Sequence, residues 1–435
     1  MLLVYTHKIT PRLTYIFKQL FVRMLHLPIE FTTTIEVFVA HSGPKISYTQ
    51  APLGDAFFVA AHNLLFEQGV QEQLIEMDEW EGLPIFFKTS PHSKIPFDLF
   101  AAAFYLITRY EEGLPHIKNK EGHFDPSQSL AGINHFLELP VIDCWVKQFY
   151  GDLIQAFPQL PPLDAPKVKR SLLFDIALPF QYLHHSLLSN LGLFLRALAA
   201  FDFYKIYEQL SVLLQLRSDP YNTFEFIKKR CLQNGWKPTF FFLFSKSSPF
   251  ETTISIYNNA YHDLMKSVSD YFKVCALVSV KSQHRLFEAL PEELKYLEKE
   301  IHREIKTVRM SQGIISVSEL YSALTEMEIE EDYSMGYATV MGYRAGTATP
   351  YYHYDLSHEL QSPLRIYPVV ASAWVLKNMT PAAAFSKLEK LYTALPLSSC
   401  QHIFAMTNAL LKKNKSEKSW NKAFEAYINK HEITS

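Results

Sequence analysis

The chain has 435 residues, 48% of them hydrophobic and 20% charged, with a formal net charge of −2. That is a globular composition, long enough for roughly two or three domains that each bury a core. Near-neutrality gives no electrostatic footing for nucleic acid or for an anionic membrane surface. The four cysteines, Cys144, Cys231, Cys275 and Cys400, stand far apart without a Cys-x-x-Cys pair. Their spacing speaks against a zinc knuckle or a disulfide framework and for reduced thiols in a cytoplasmic protein.

The first residues, MLLVYTHKITPRLTYIFKQLF, carry an apolar run of only a few residues before Lys8, Arg12 and Lys18 interrupt it, so they are not read as a secretory leader. Met1 to Thr6 reads as a strand and Pro11 to Leu25 as an amphipathic helix. The alternation in Ile35 to Ala40 predicts a second strand, and GPKISYT a third after a turn. Ala56 to Leu65 and Asp98 to Tyr110 are predicted helices. Asp98 is placed as the cap of the latter, and Gly113 as the break after Arg109-Tyr110-Glu111-Glu112. Residues 1–156 thus read as a small α/β domain; no catalytic motif appears in it, and its expected role is a scaffold or interface module.

Four prolines (Pro158, Pro161, Pro162, Pro166) stiffen residues 157–170, which is the expected interdomain linker. Residues 171–435 then alternate strand and helix. SLLFDIALPF is a buried strand, followed by helices at Leu187 to Ala200 and Tyr204 to Leu216. Asp219 and Pro220 start a helix that Gly235 ends. PTFFFLF is a second strand, apolar throughout as parallel strands are. Phe272 to Val280 and Thr307 to Met310 continue the strands, with helices at Pro291 to Ile305 and Ser316 to Thr325. This rhythm predicts an open or barrel-like parallel α/β domain. No stretch offers the ~18 uncharged apolar residues of a membrane span; the longest apolar segment, Leu187 to Phe201, holds Asn190 and Arg196 and is expected to be a buried helix. KKNKSEKSWNK near the end reads as a solvated helix or hinge.

Glu330 to Pro368 departs from that rhythm. Six of the 24 tyrosines fall between Tyr333 and Tyr354, and Gly336, Gly342 and Gly346 interrupt the stretch. It reads as linked short strands and loops. Tyr343, Tyr351, Tyr352 and Tyr354 are candidates for a ligand platform, because a phenol ring offers a flat face for stacking and a hydroxyl for hydrogen bonding.

The string EDYSMGY…GYRAGT…PYYHYDL…SPLRIYP resembles the C-terminal signature of a bacterial group of polysaccharide-deacetylase-like proteins, and the likeness extends back to about PFDLFAAAFYLITRYEEGLP. In that group a small N-terminal domain of unknown function precedes a distorted, incomplete (β/α) barrel of the deacetylase type. The resemblance implies a divalent ion held by Asp and His ligands, an Asp as base and a His as acid. This chain departs from that pattern at each strand end. Asp175 matches the base, but Ala177 stands where a ligand Asp belongs. Leu277 and Ser311 replace ligand histidines, and Thr407 replaces the acid histidine. Asp175, Arg309, Asp332, Arg344, Asp355 and Asn408 match.

The reading is therefore a deacetylase-like pseudoenzyme with Asp175 as a vestigial base. Arg309, Asp332, Arg344, Asp355 and Asn408 would line its pocket, with no metal cofactor, and Asp175 is expected to pair with Arg309 or Arg344. Its expected partner is a glycan or another protein. The alternative is an active zinc or other divalent-metal deacetylase with displaced ligands, such as His184 or His185 beside Asp175.

Overall fold

The computed structural model describes residues 1–246, 253–412 and 419–432. Among them the strands form three sheets. A four-stranded sheet has the order Ile29–Thr32, Leu2–Tyr5, Lys45–Thr49, Phe57–Ala60. A two-stranded hairpin pairs Asp78–Trp80 with Leu83–Ile85. An eight-stranded half-barrel sheet runs Tyr351–Asp355, Leu360–Ile366, Glu331–Asp332, Thr307–Met310, Lys273–Val278, Thr239–Phe242, Lys169–Ile176, Gln401–Met406. The mixed α/β class, with a small N-terminal domain ahead of a barrel-type sheet, is as the sequence predicts. The chain divides into two compact units.

The first unit comprises Met1–Arg170, Gly313–Val370 and Lys390–Ile403. All pairings in its four-stranded sheet are parallel; Leu2–Tyr5 and Phe57–Ala60 are apolar, fully buried runs, whereas Ile29–Thr32 and Lys45–Thr49 alternate apolar and polar residues. Helix Leu99–Ile107 is buried along its whole length. Its three alanines allow close packing, and Phe17 stacks on Phe100 with ring centroids 3.8 Å apart. Asp98 caps this helix as expected, accepting from the Phe100 and Ala101 amides.

Two expectations fail in this unit. Ile35–Ala40 is a helix, with only Phe38 buried, against Tyr5; the alternation of its β-branched residues has no buried sheet face to serve. Residues 56–65, expected to be helical, form strand Phe57–Ala60 and then a 3-10 turn, Asn63–Phe66. An apolar run of that length serves a buried strand as well as a helix, and here all four strand residues are buried.

The second unit comprises Ser171–Gln312, Ala371–Glu389 and Phe404–Ser435. Its parallel strands pair Phe174 with Phe240, Phe240 with Val274, and Ala276 with Val308. The Phe174 and Phe240 rings stack at 5.1 Å. Helices Phe224–Gln233, Asn259–Ser269 and Leu286–Ile301 alternate with the strands, the last burying Leu290, Leu294 and Leu297 at helical spacing.

Asp219 does not start a helix; the next one begins at Phe224. Its carboxylate instead accepts from the Gln181, Tyr182, Leu183 and Tyr221 amides and so ties two loops together. The expected buried helix is also corrected. Leu187–Ala199 forms a hairpin with Phe203–Leu213, yet only Ala197 of the first helix is buried, and Leu187 is 89% exposed. Among the described residues no helix is long and apolar enough to cross a membrane. Most of the expected solvated tail segment, residues 413–418, lies outside the described residues, and helix Trp420–Lys430 follows it.

Candidate functional site

In a parallel sheet, chemistry gathers at the carboxyl ends of the strands. In the second unit that edge carries Asp175, one residue before the end of its strand, and Arg309, one residue before the end of Thr307–Met310. The register sets Asp175 opposite Phe241 and Phe241 opposite Cys275, with Leu277 opposite Arg309 one alternation further on. Arg309 spans that offset, and its Nε donates to Asp175 Oδ1 at 2.8 Å. The two side chains are only 6% and 12% exposed. Burial pushes the Asp175 carboxyl above its usual range, and the guanidinium opposes that shift.

At the positions that the resemblance assigns to metal ligands and the acid, the expected Asp and His side chains are replaced. Ala177 offers a methyl group, and Leu277 is buried and apolar. Ser311 donates its amide to the Val278 carbonyl at 3.0 Å. Thr407 donates its hydroxyl to Asn408 Oδ1 at 3.1 Å. Asn408 is fully buried and its amide nitrogen donates to the Leu178 and Tyr221 carbonyls, so it holds loops in place. Among the described residues no three His, Cys, Asp or Glu side chains group in a way that would hold a metal ion. The displaced-ligand histidines have other neighbours: His185 Nε2 lies 3.0 Å from the Phe180 carbonyl, and the His184 ring packs edge-on against Phe180. The described residues do not fit a divalent cation. They fit a self-neutralising carboxylate–guanidinium pair.

The loop after strand Lys273–Val278 is held by a carboxylate that the sequence reading missed. Glu293 is buried and accepts from the Ser279 amide at 3.0 Å and the Ser279 hydroxyl at 2.8 Å, and also from the Ser282 hydroxyl. A glutamate in a helix, fourteen residues beyond its partner, gives no local signal of this.

The other expected pocket residues belong to the first unit, each with its own partners. Arg344 does not pair with Asp175. Its Nε and Nη2 donate to Glu112 at 2.9 and 2.6 Å, while Arg109 donates to Glu111, Glu112 and the Arg344 carbonyl. Two arginines and two glutamates thus form a buried, charge-balanced quartet. Burial alone would raise the Glu112 carboxyl, but Arg344 and Arg109 outweigh it and hold it at about 2. The segment Arg109-Tyr110-Glu111-Glu112, read from sequence only as a helix stop, is half of this quartet. Its signal was two acids beside an arginine in one turn after an apolar helix.

Asp332 accepts from the Tyr321 hydroxyl at 2.9 Å and from the Ser334 amide and hydroxyl. Asp355 caps a turn through the Ser357 and His358 amides. The tyrosine platform is corrected as well. Tyr343, Tyr351 and Tyr354 are 1–2% exposed, so their faces are packing surface. Tyr352 is half-buried, with the Arg23 guanidinium 4.7 Å from its ring centre.

Residues 2–158 match a family of unknown function (DUF7033). No curated protein matches the chain by sequence. Among solved structures, a putative polysaccharide deacetylase from Mycobacterium smegmatis is similar at 13% identity over 62% of this chain and 86% of that one, with a TM-score of 0.41. A CE4-family pseudoenzyme from Bacillus anthracis is similar at 9% identity over 61% of this chain and 62% of that one, TM-score 0.33. A polysaccharide deacetylase from Bacillus cereus follows at 12% identity over 61% and 88%, TM-score 0.32. The strand order of the chain, rather than these distant superpositions, carries its fold class. The chain is similar to polysaccharide deacetylases, and its first 158 residues hold a match to a family of unknown function.

Proposed function

We propose that the chain is a catalytically silent, deacetylase-like protein that binds a glycan. In this reading residues 1–156 are the N-terminal module, residues 157–170 the linker, and residues 171–435 the deacetylase-like barrel, with Asp175 as its vestigial base. The observation that carries the proposal is the Asp175–Arg309 pair at 2.8 Å, with Ala177 and Leu277 where oxygen and nitrogen ligands would be needed. The pair engages one oxygen of Asp175, and a carboxylate alone does not hold a divalent ion: the neighbouring Asp and His donors that would complete the site are replaced by Ala177 and Leu277. The glycan as ligand class comes from the resemblance of the Glu330–Pro368 stretch to the deacetylase-like group.

The test has two arms on the full-length protein. Acetate release from partly acetylated oligosaccharides should stay at background with and without added zinc, cobalt or manganese. Immobilised oligosaccharides should nevertheless retain the protein. Metal-dependent acetate release would overturn the silent-centre half, and failure to bind any acetylated or deacetylated oligosaccharide would overturn the glycan half.

A further inference from the structure

The first unit contains a cavity of about 170 Å³ whose wall includes Thr108, Arg109, Glu112, Val317, His353 and Tyr354. At about 30 Å³ per water it has room for roughly five or six waters, the bulk of one sugar ring. His353 is 7% exposed, its ring lies edge-on to Tyr321 at 5.0 Å, and neither ring nitrogen meets a hydrogen-bond partner among the described residues. The ring nitrogens keep accessible surface, so an imidazole on the wall of this mixed polar and apolar cavity is open to hydrogen bonding with whatever fills it.

The wall also says what would satisfy it. Burial holds the His353 imidazole neutral, at about 4, so near pH 7 one nitrogen donates and the other accepts. A hydroxyl, which does both, is its natural complement. The three charged residues of the wall are already engaged, Asp355 by the Ser357 and His358 amides and the His358 ring. Each guanidinium nitrogen of Arg109 and both carboxylate oxygens of Glu112 serve the quartet, which leaves no uncompensated charge to draw an ion. Val70, Val317 and Leu356 add apolar surface, as the C–H faces of a sugar require.

We infer that this cavity binds one neutral sugar ring, with His353 hydrogen-bonded to a ring hydroxyl. The inference rests on the glycan-binding reading above and deepens it by naming the site, which lies outside the strand-end edge that carries Asp175.

The experiment titrates the full-length protein with glucose and with N-acetylglucosamine, followed by saturation-transfer NMR and calorimetry. The comparison set is the parent, His353→Phe, Val70→Phe and, as a control on the exposed hairpin, Leu188→Ser. His353→Phe removes both ring nitrogens. Val70→Phe fills space from another wall and leaves His353 in place, and thermal melts identify which variants are folded. Saturable binding of one of the two sugars is expected, weakened about tenfold or more in both cavity variants and unchanged in the control. Binding that persists undiminished in a folded cavity variant would overturn the cavity assignment while leaving the glycan reading intact. Absence of saturable binding by either sugar would also overturn the assignment, with the oligosaccharide arm above deciding the broader reading.

Discussion

Asp175 and Arg309 each make the other tolerable inside the second unit, and their loss should show it. Removing one partner of a buried pair strands the other charge, which costs about 3–5 kcal/mol. Asp175→Asn and Arg309→Met are each expected to destabilise by that order, and the double variant by clearly less than the sum; a denaturant double-mutant cycle measures the coupling. Additive losses would mean that the pair holds little energy. Glu112 gives a residue-scale prediction in pH. Its carboxyl sits at about 2 in the folded chain against an ordinary 4.5, so the folded state holds its proton less tightly than the unfolded state does. The stability it contributes is fully present above 4.5 and is lost as pH falls through about 2. Glu112→Gln should therefore lower stability at neutral pH by a few kcal/mol and flatten the acid limb of the stability curve; an unchanged acid limb would contradict the assignment.

Among the elements, helix Leu99–Ile107 depends most heavily on one side chain. Asp98 Oδ1 takes two amides of the first turn, while Oδ2 accepts from the Tyr48 hydroxyl at 2.6 Å and the His62 amide at 2.7 Å. Asp98→Ala removes a cap worth about 1 kcal/mol and leaves two donors buried without partners, for a total of roughly 3 kcal/mol. Asp98→Asn, which keeps the cap, should cost less, and chemical denaturation separates the two; equal losses would mean that the cap is unimportant. The hairpin Leu187–Ala199 and Phe203–Leu213 makes the opposite prediction. Leu188 is 81% exposed, so Leu188→Lys should change stability by no more than about 0.5 kcal/mol. Leu297→Ala, on a buried helix face, should cost about 2–5 kcal/mol. A large loss at Leu188 would restore the buried-helix expectation that the structure overturns.

For the molecule as a whole, the parts legible in the sequence were those set by periodicity and continuous burial: FFF and CALV as parallel strands, Asp98 as a cap, and the second unit's strand–helix alternation. Ile35–Ala40 misled because a six-residue alternation does not say whether a sheet face exists to receive it. Leu187 to Phe201 misled because apolar composition does not say whether a helix meets a partner surface. Asp175 with Arg309 was legible because two strand ends face the same edge. The quartet of Arg109, Glu111, Glu112 and Arg344 was not, because its halves lie more than two hundred residues apart and only the fold pairs them. The central claim, that an ion pair stands where the deacetylase pattern calls for a metal, is tested by restoring the absent donors. Ala177→Asp, Leu277→His and Ser311→His together supply three oxygen and nitrogen ligands at the strand ends. The measurement is the melting temperature of the parent and the triple variant with and without zinc, because a ligand that binds only the folded state raises it. A rise in the variant and none in the parent is the expected result. A parent that rises as much as the variant already owns a metal site, and would contradict the account.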